Sequence, residues 1–233
     1  MILTGHQPEY LPYIGFFLKM MLCDKFVVVD HVQFNKKSYQ NRNKIRTQNG
    51  WTWLTVPVIT KRRPYQKINE VRINDSIKWR SKHWKSLYFN YKKSPFFDEY
   101  QEFFENLYAK KWEKLVDLNV TIIRFVAEKL KIKVEMVKSS DINPQGKKTM
   151  LLIDMCKKLN ADTYLSGEGA RRYVNVSKFK EHNLNHVFRY FQHPVYHQQF
   201  TPFIPNMSVI DLMFNYSSDC VKEIIRSSGG GEK

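Results

Sequence analysis

The first apolar positions, Ile2 and Leu3, form a short run that ends at Gly5-His6-Gln7-Pro8, where Pro8 and Pro12 halt regular structure. Residues 13–23 are apolar at nearly every position, the pattern of a buried helix. Residues 25–32 (KFVVVDHV) are a Val-rich run bounded by polar residues, the pattern of a buried strand. Strand, loop, helix and strand in this order predict a βαβ unit. Residues 33–46 are polar and basic without clean periodicity and read as a functional loop or an irregular excursion. Residues 51–59 and 68–73 have strand composition, with a turn at Lys61-Arg62-Arg63-Pro64 between them. Residues 76–132 are helical in pattern; Pro95 divides them, and a further break is expected near Asn119. A strand at 133–137, a loop at 139–146 and an amphipathic helix at 148–159 follow. A short strand at 162–165, a partly helical stretch at 170–182 and a strand at 184–191 come next. The last helix is expected at 208–226, opened by Ser208 with Asp211 three residues on, a variant of the capping box. The tail at 227–233 (SSGGGEK) is expected to be disordered.

Strands alternating with helices at both ends predict the α/β class, with a mostly parallel, open, Rossmann-like sheet. The basic middle reads as an insertion. The expected division is an α/β core at 1–35 and 133–226, an inserted basic lobe of strands and helices at 36–132, and the tail at 227–233.

Composition adds three points. The 233 residues are 42% hydrophobic and 15% aromatic, enough to fill a core, which excludes global disorder. No apolar run approaches the ~20 residues of a membrane span, and the start, MILTGHQPEY, lacks the pattern of a secretory signal. Cys23, Cys156 and Cys220 are odd in number and set among apolar neighbours, so reduced thiols and a cytoplasmic location are expected. The charge changes the picture more. Lys+Arg number 38 against 22 Asp+Glu, a net +16, yet residues 36–93 alone hold 16 bases and two acids, Glu70 and Asp75. One segment thus carries +14, which points to an acidic partner: nucleic acid, anionic lipid or a phosphate-bearing small molecule.

Five constellations carry candidate chemistry. His6-Gln7-Pro8-x-Tyr10-x-Pro12-x-x-Gly15 follows the first strand, where open α/β sheets bind ligands; its structural reading is a Pro-ordered turn. Asp30 and Gln33 end the second strand and are expected at the same rim, followed by Lys36 and by Asn41-Arg42-Asn43. That donor-rich cluster suits phosphate oxygens or sugar hydroxyls better than a metal, and its structural reading is a solvated basic loop. In Tyr164-Leu165-Ser166-Gly167-Glu168-Gly169, with Tyr173 beyond, a strand enters a Gly-containing turn able to face an anion, or simply joins strand to helix. Gln192-His193-Pro194-x-Tyr196-x-Gln198 offers His193 and Tyr196 for proton transfer or substrate hydrogen bonds. A stripe of Trp79, His83, Trp84, Tyr88 and Tyr91 among lysines suits base stacking, or ordinary helix packing. The spacing of His193 and His197 is interrupted by Pro194, and zinc and Walker motifs are missing from the sequence, so no metal is expected.

Taken in order, His-Gln-Pro-x-Tyr-x-Pro-x-x-Gly, Asp-x-x-Gln-Phe-x-Lys, Asn-Arg-Asn, Trp-Leu-Thr-x-Pro-Val, Tyr-Leu-Ser-Gly-x-Gly, His-Pro-x-Tyr-x-Gln and Ser-x-Ile-Asp-Leu-x-Phe-Asn resemble the WbqC-like protein family from Ile2 to about Asn215. The resemblance implies a role in O-antigen or other cell-surface polysaccharide synthesis, lipopolysaccharide included. It also implies a transferase that places an acyl or aminoacyl group on the amine of a nucleotide-linked amino sugar. The order of elements also resembles the nucleotidylyltransferase type of fold seen in pantothenate synthetases and cytidylyltransferases, although only His6 stands where that family has paired histidines. On side-chain chemistry, His6, His193 and Asp30 are the catalytic candidates. Gln7, Tyr10, Gln33, Lys36, Asn41, Arg42, Asn43, Ser166, Gly167, Tyr173 and Tyr196 are the substrate-binding candidates. No resident cofactor is expected; the acyl donor is taken as phosphopantetheine-bound or nucleotide-activated, with an acidic acyl-carrier protein as the partner that suits the basic segment. Two alternatives stay open: a nucleic-acid-binding module, which the polar strand-end motifs disfavour, and a non-enzymatic scaffold of a polysaccharide-synthesis complex.

Overall fold

A computed structural model describes residues 1–61, 63 and 65–230. Arg62 and Pro64, in the expected turn, and residues 231–233 lie outside the described residues. In chain order the elements are β1 (Ile2–His6), α1 (Ile14–Met21), β2 (Lys25–Val28), β3 (Arg42–Thr47), β4 (Gly50–Thr55), α2 (Trp79–Tyr91), α3 (Asp98–Ala109), α4 (Leu115–Lys129), β5 (Glu135–Lys138), α5 (Ser139–Ile142), α6 (Thr149–Lys158), β6 (Thr163–Gly167), α7 (Val176–Glu181), β7 (Asn185–Phe191), α8 (Val209–Asn215), α9 (Ser218–Ser227) and β8 (Gly229–Gly230).

The main sheet runs β5-β2-β1-β6-β7-β8. The pairs from β5 to β7 are parallel, and β8 joins β7 antiparallel. The fold is therefore α/β with a mostly parallel open sheet, as its sequence implies. Numbered among the parallel strands alone, the order is 3-2-1-4-5, that of the doubly wound Rossmann type. Strand alternation sends side chains to two layers. Leu3, Val27 and Tyr164 meet Ile153, Met155, Cys156 and Phe179 of α6 and α7 on one face. Phe26 and Val28 meet Phe16, Phe17 and Met20 of α1, and the cluster continues through α4 and α9 on the other. Each fully buried large side chain of this kind contributes roughly 1.5–3 kcal/mol.

The 36–132 segment enters between β2 and β5, and its Ile45, Leu54, Leu87, Tyr91 and Phe104 belong to the same apolar cluster as Phe26. Several local expectations change here. The regular strand hairpin is β3 with β4, and 51–59 meets 68–73 through a single antiparallel bridge, Val58 with Ile73. Part of the 33–46 stretch is thus strand. Its signature is hidden because polar side chains occupy buried positions: Asn43 Nδ2 donates to the Leu11 carbonyl, and the Arg46 guanidinium donates to the Pro202 carbonyl. The apolar spacing at 68–73 comes from a 3-10 turn at Ile68–Glu70 with Ile68 and Val71 buried.

The second helical break falls between α3 and α4, and Asn119 lies inside α4 with its amide bonded outward to the Pro8 and Gln40 carbonyls. The stretch read as a loop at 139–146 begins with α5. The last helix is two helices, capped by Ser208 and Ser217, and Asp211 turns from the cap to accept from Tyr91 and Tyr196. Gly229 and Gly230, in the expected tail, pair with Phe191 and Tyr190. Among the described residues, no helix is long and apolar enough to cross a membrane.

Candidate functional site

The crossovers leaving β1 and β6 run to opposite sides of the sheet, so the chain parts above their carboxyl ends, the usual ligand position in this topology. A cleft of about 550 Å³ opens there. Its floor is Gly5 and His6 from β1 with Gln7 directly after, Ser166 and Gly167 from β6, and Arg189 from β7. Tyr13 and Lys19 of the α1 region form one wall, and Lys148 and Leu152 of the α6 region the other. Gly5 is needed for close packing: a Cβ there would stand 2.9 Å from the Tyr164 hydroxyl.

His6 Nδ1–H donates to the Gln7 carbonyl at 2.9 Å, and the ring lies 4.8 Å from that of Phe16. The tautomer follows from this acceptor and leaves the Nε2 lone pair unclaimed. Burial, then the charge of Lys19, lowers the His6 pKa to about 3, so the ring is neutral. Behind it, Glu9 Oε1 is 3.8 Å from His6 Nδ1, and Glu9 Oε2 is buried without a hydrogen-bond partner. Burial raises the Glu9 carboxyl to about 7 against the pull of Lys19. Burial likewise lowers Lys19 to about 8, opposed by Glu9 and Cys23. Lys19, Lys148 and Arg189 give the lining an excess of positive charge over Glu168, and Arg189 Nε is buried without a protein partner.

At the β6 edge, Ser166 Oγ is 3.0 Å from His186 Nε2 on the neighbouring strand. His186 sits among Tyr164, Phe179 and Phe188, and its Nδ1 is buried without a partner. Burial, then Arg171, lowers its pKa to about 4.

The cleft brings together His6, Gln7, Ser166, Gly167 and Tyr173 of the sequence candidates. Gln7 Oε1 also accepts from Gln40 Nε2 at 2.6 Å, which ties the rim to the segment between β2 and β3. The other candidates lie elsewhere. Tyr10 is fully buried and bonds His83 and Tyr108. Asp30 is buried, accepts from Ser139 Oγ and from the backbone and hydroxyl of Ser140, and borders a separate hollow of about 420 Å³ with Lys67 and Lys138. Gln33 and Lys36 are exposed. Asn41 and Asn43 donate to the Val56 and Leu11 carbonyls. Arg42 lies 4.2 Å over the Trp53 ring.

His193 Nδ1–H donates to the Pro194 carbonyl at 2.8 Å while Nε2 accepts from the Asn206 N–H at 2.9 Å, so both ring nitrogens are engaged. Tyr196 is buried and donates to Asp211 at 2.8 Å. On α2, Trp79, His83 and Tyr91 are buried, so this stripe packs the core while Lys82, Lys85 and Lys92 face solvent. The described residues of 36–93 supply no lining residue to the cleft. Sequence reading missed Glu9, Lys19, Lys148, His186 and Arg189. For Lys19, His186 and Arg189 the available signal was a lone polar residue inside an apolar run.

Comparison with known proteins follows the same outline. A model of the WbqC-like protein family matches residues 7–223. An uncharacterized protein of Mycobacterium tuberculosis, Rv1507c, is 33% identical over 215 residues, which covers 91% of this chain and 93% of that protein. No solved structure matches.

Proposed function

This chain belongs to the WbqC-like protein family, and from that premise we propose that it is a transferase of cell-surface polysaccharide synthesis, placing an acyl or aminoacyl group on the amine of a nucleotide-linked amino sugar. The observation that carries the reading is the cleft at the switch point of the sheet, where Lys19, Lys148 and Arg189 surround a neutral His6.

The chemistry fits each part of such a substrate. A diphosphate needs cations, and the buried, unpartnered Nε of Arg189 offers a directed donor beside two ammonium groups. An amine attacks only when neutral, and the Nε2 lone pair of His6 can accept one of its N–H bonds and orient it. Tyr173, 46% exposed at the mouth, supplies an apolar ring edge with a hydroxyl for the sugar. Lys36, Lys82, Lys85 and Lys92 face outward from the inserted segment, away from the lining set. Their role in this reading is to meet an acidic carrier that brings the activated acyl group. Asp30 and His193 receive no chemical role, because their polar atoms are already held by protein partners outside the cleft.

Melting of the purified protein with nucleotide-linked amino sugars tests the reading, with the parent nucleoside diphosphate and the free amino sugar as comparisons. A fitting ligand at 100 times its Kd stabilises by about 2.7 kcal/mol, a rise of about 5–10 °C for a chain of this size. Arg189→Ala with Lys148→Ala is expected to weaken binding by about 100-fold. No rise with any nucleotide-linked amino sugar would remove the proposal.

A further inference from the structure

We infer that Ser166 is an acyl-accepting nucleophile served by His186, so that transfer in the cleft passes through an ester on the enzyme. The inference rests on the transferase reading above and deepens it. Nucleophilic hydroxyls are recognised by a hydrogen bond to a held base at a ligand cavity. Ser166 Oγ and His186 Nε2 are 3.0 Å apart, and Ser166 lines the cleft at the carboxyl end of β6.

The imidazole is fixed on one sheet face by packing: ring centroids lie 4.7 Å from Phe179, 4.4 Å from Phe188 and 6.2 Å from Tyr164. That cage and the nearby Arg171, whose guanidinium stacks 4.4 Å over Phe188, keep the ring neutral, with a lone pair for the hydroxyl proton. The turn that follows Ser166 in the cleft lining is uncrowded. A Cβ at Gly169 would meet nothing within 4 Å, and one at Gly167 would meet only the Lys19 stem at 3.9 Å. Ser166 itself is 5% exposed, so an ester formed there is shielded from bulk water.

The steps balance without an oxidant or reductant. Ser166 Oγ bonds to the carbonyl carbon of an activated acyl donor, taken here as a thioester, and its proton passes to His186 Nε2. The C–S bond breaks, and the departing sulfur takes that proton from His186, which returns to neutrality. The sugar amine then bonds to the ester carbon. The C–O bond breaks, Oγ recovers a proton released by the amine through His186, and the amide leaves.

The test uses the full chain and p-nitrophenyl acetate. Wild type is expected to release a burst of about one p-nitrophenol per chain and to carry one acetyl group on the peptide containing Ser166. Ser166→Ala is expected to abolish burst and adduct. His186→Gln is expected to slow the burst by about 100-fold or more. Ser166→Cys, which keeps a nucleophile and changes one atom, is expected to retain a burst and move the adduct to the new sulfur. An adduct on another residue, or an equal burst from Ser166→Ala, overturns the inference. Absence of a burst from wild type that still melts higher with a nucleotide-linked amino sugar overturns it too, and leaves direct transfer in place. A Ser166-dependent burst without any nucleotide-sugar effect supports the nucleophile and removes the sugar reading instead.

Discussion

Glu9 lies behind His6 of the cleft lining and is coupled to Lys19, and burial shifts all three toward their uncharged forms. Glu9 has the clearest thermodynamic consequence. Its carboxyl titrates at about 7 in the fold and at about 4.3 in an unfolded chain. Between those values the native state holds a proton that the unfolded state has released, so this group's contribution to stability falls as pH rises through the window. His6, lowered to about 3, acts in the opposite sense between about 3 and 6.5. Comparison with Glu9→Gln cancels the His6 effect. The melting temperature of Glu9→Gln relative to wild type is expected to climb from pH 4.5 to pH 7 in calorimetry; a constant difference would refute the shift.

The same residues show why the site was only partly legible. His6, Gln7, Ser166 and Gly167 could be found because they follow strand ends, and strand ends are visible in the hydrophobic pattern. Tyr10, Asn41, Asn43 and Tyr196 resemble them in chemistry, yet their hydroxyls and side-chain amide nitrogens are bonded inside the fold. A polar side chain that holds a loop and one that meets a ligand need the same donors, and only their partners distinguish them.

At the scale of elements, α4 holds the rim in place through a single side chain. Asn119 Nδ2 donates to the Pro8 carbonyl at 3.0 Å and the Gln40 carbonyl at 2.8 Å, so one buried amide joins the loop after β1 to the approach to β3. Asn119→Ala leaves both carbonyls without that donor. The expected loss is about 2–4 kcal/mol, read as a lower denaturant midpoint with an unchanged slope; a loss under about 0.5 kcal/mol would show that water replaces the amide. The residue also marks a limit of local reading. An Asn in an amphipathic stretch signals a helix end when its side chain competes for its own backbone. Here the side chain bonds to two other segments, and the helix continues past it. The hairpin misled for a related reason: Asn43 and Arg46 occupy buried positions of β3 that usually hold aliphatic residues. By contrast α1, β2 and α6 were readable, because their buried residues are almost all apolar.

Over the whole molecule, the charge and the cleft are separate features. The +14 of residues 36–93 lies in a segment whose described residues contribute nothing to the cleft lining, and among its cations Arg42 rests on the Trp53 ring at 4.2 Å and Lys44 on the Trp51 ring at 4.3 Å. Cations seated on those faces compete with nucleobases for stacking. Binding to single-stranded RNA is therefore expected to be indifferent to sequence and to weaken about 10³-fold or more between 50 and 200 mM salt. Sequence-selective binding that persists at 200 mM would favour the nucleic-acid reading.

The strand order has a further consequence, for synthesis. β1 is made first and lies at the centre of the sheet, paired to β2 nearby and to β6, which begins at Thr163. While the ribosome extends the chain through the long insertion, one side of β1 has no neighbour. Nascent chains stalled before Thr163 would present that open edge to solvent and to one another, and β1 gains its second neighbour only once β6 has been made.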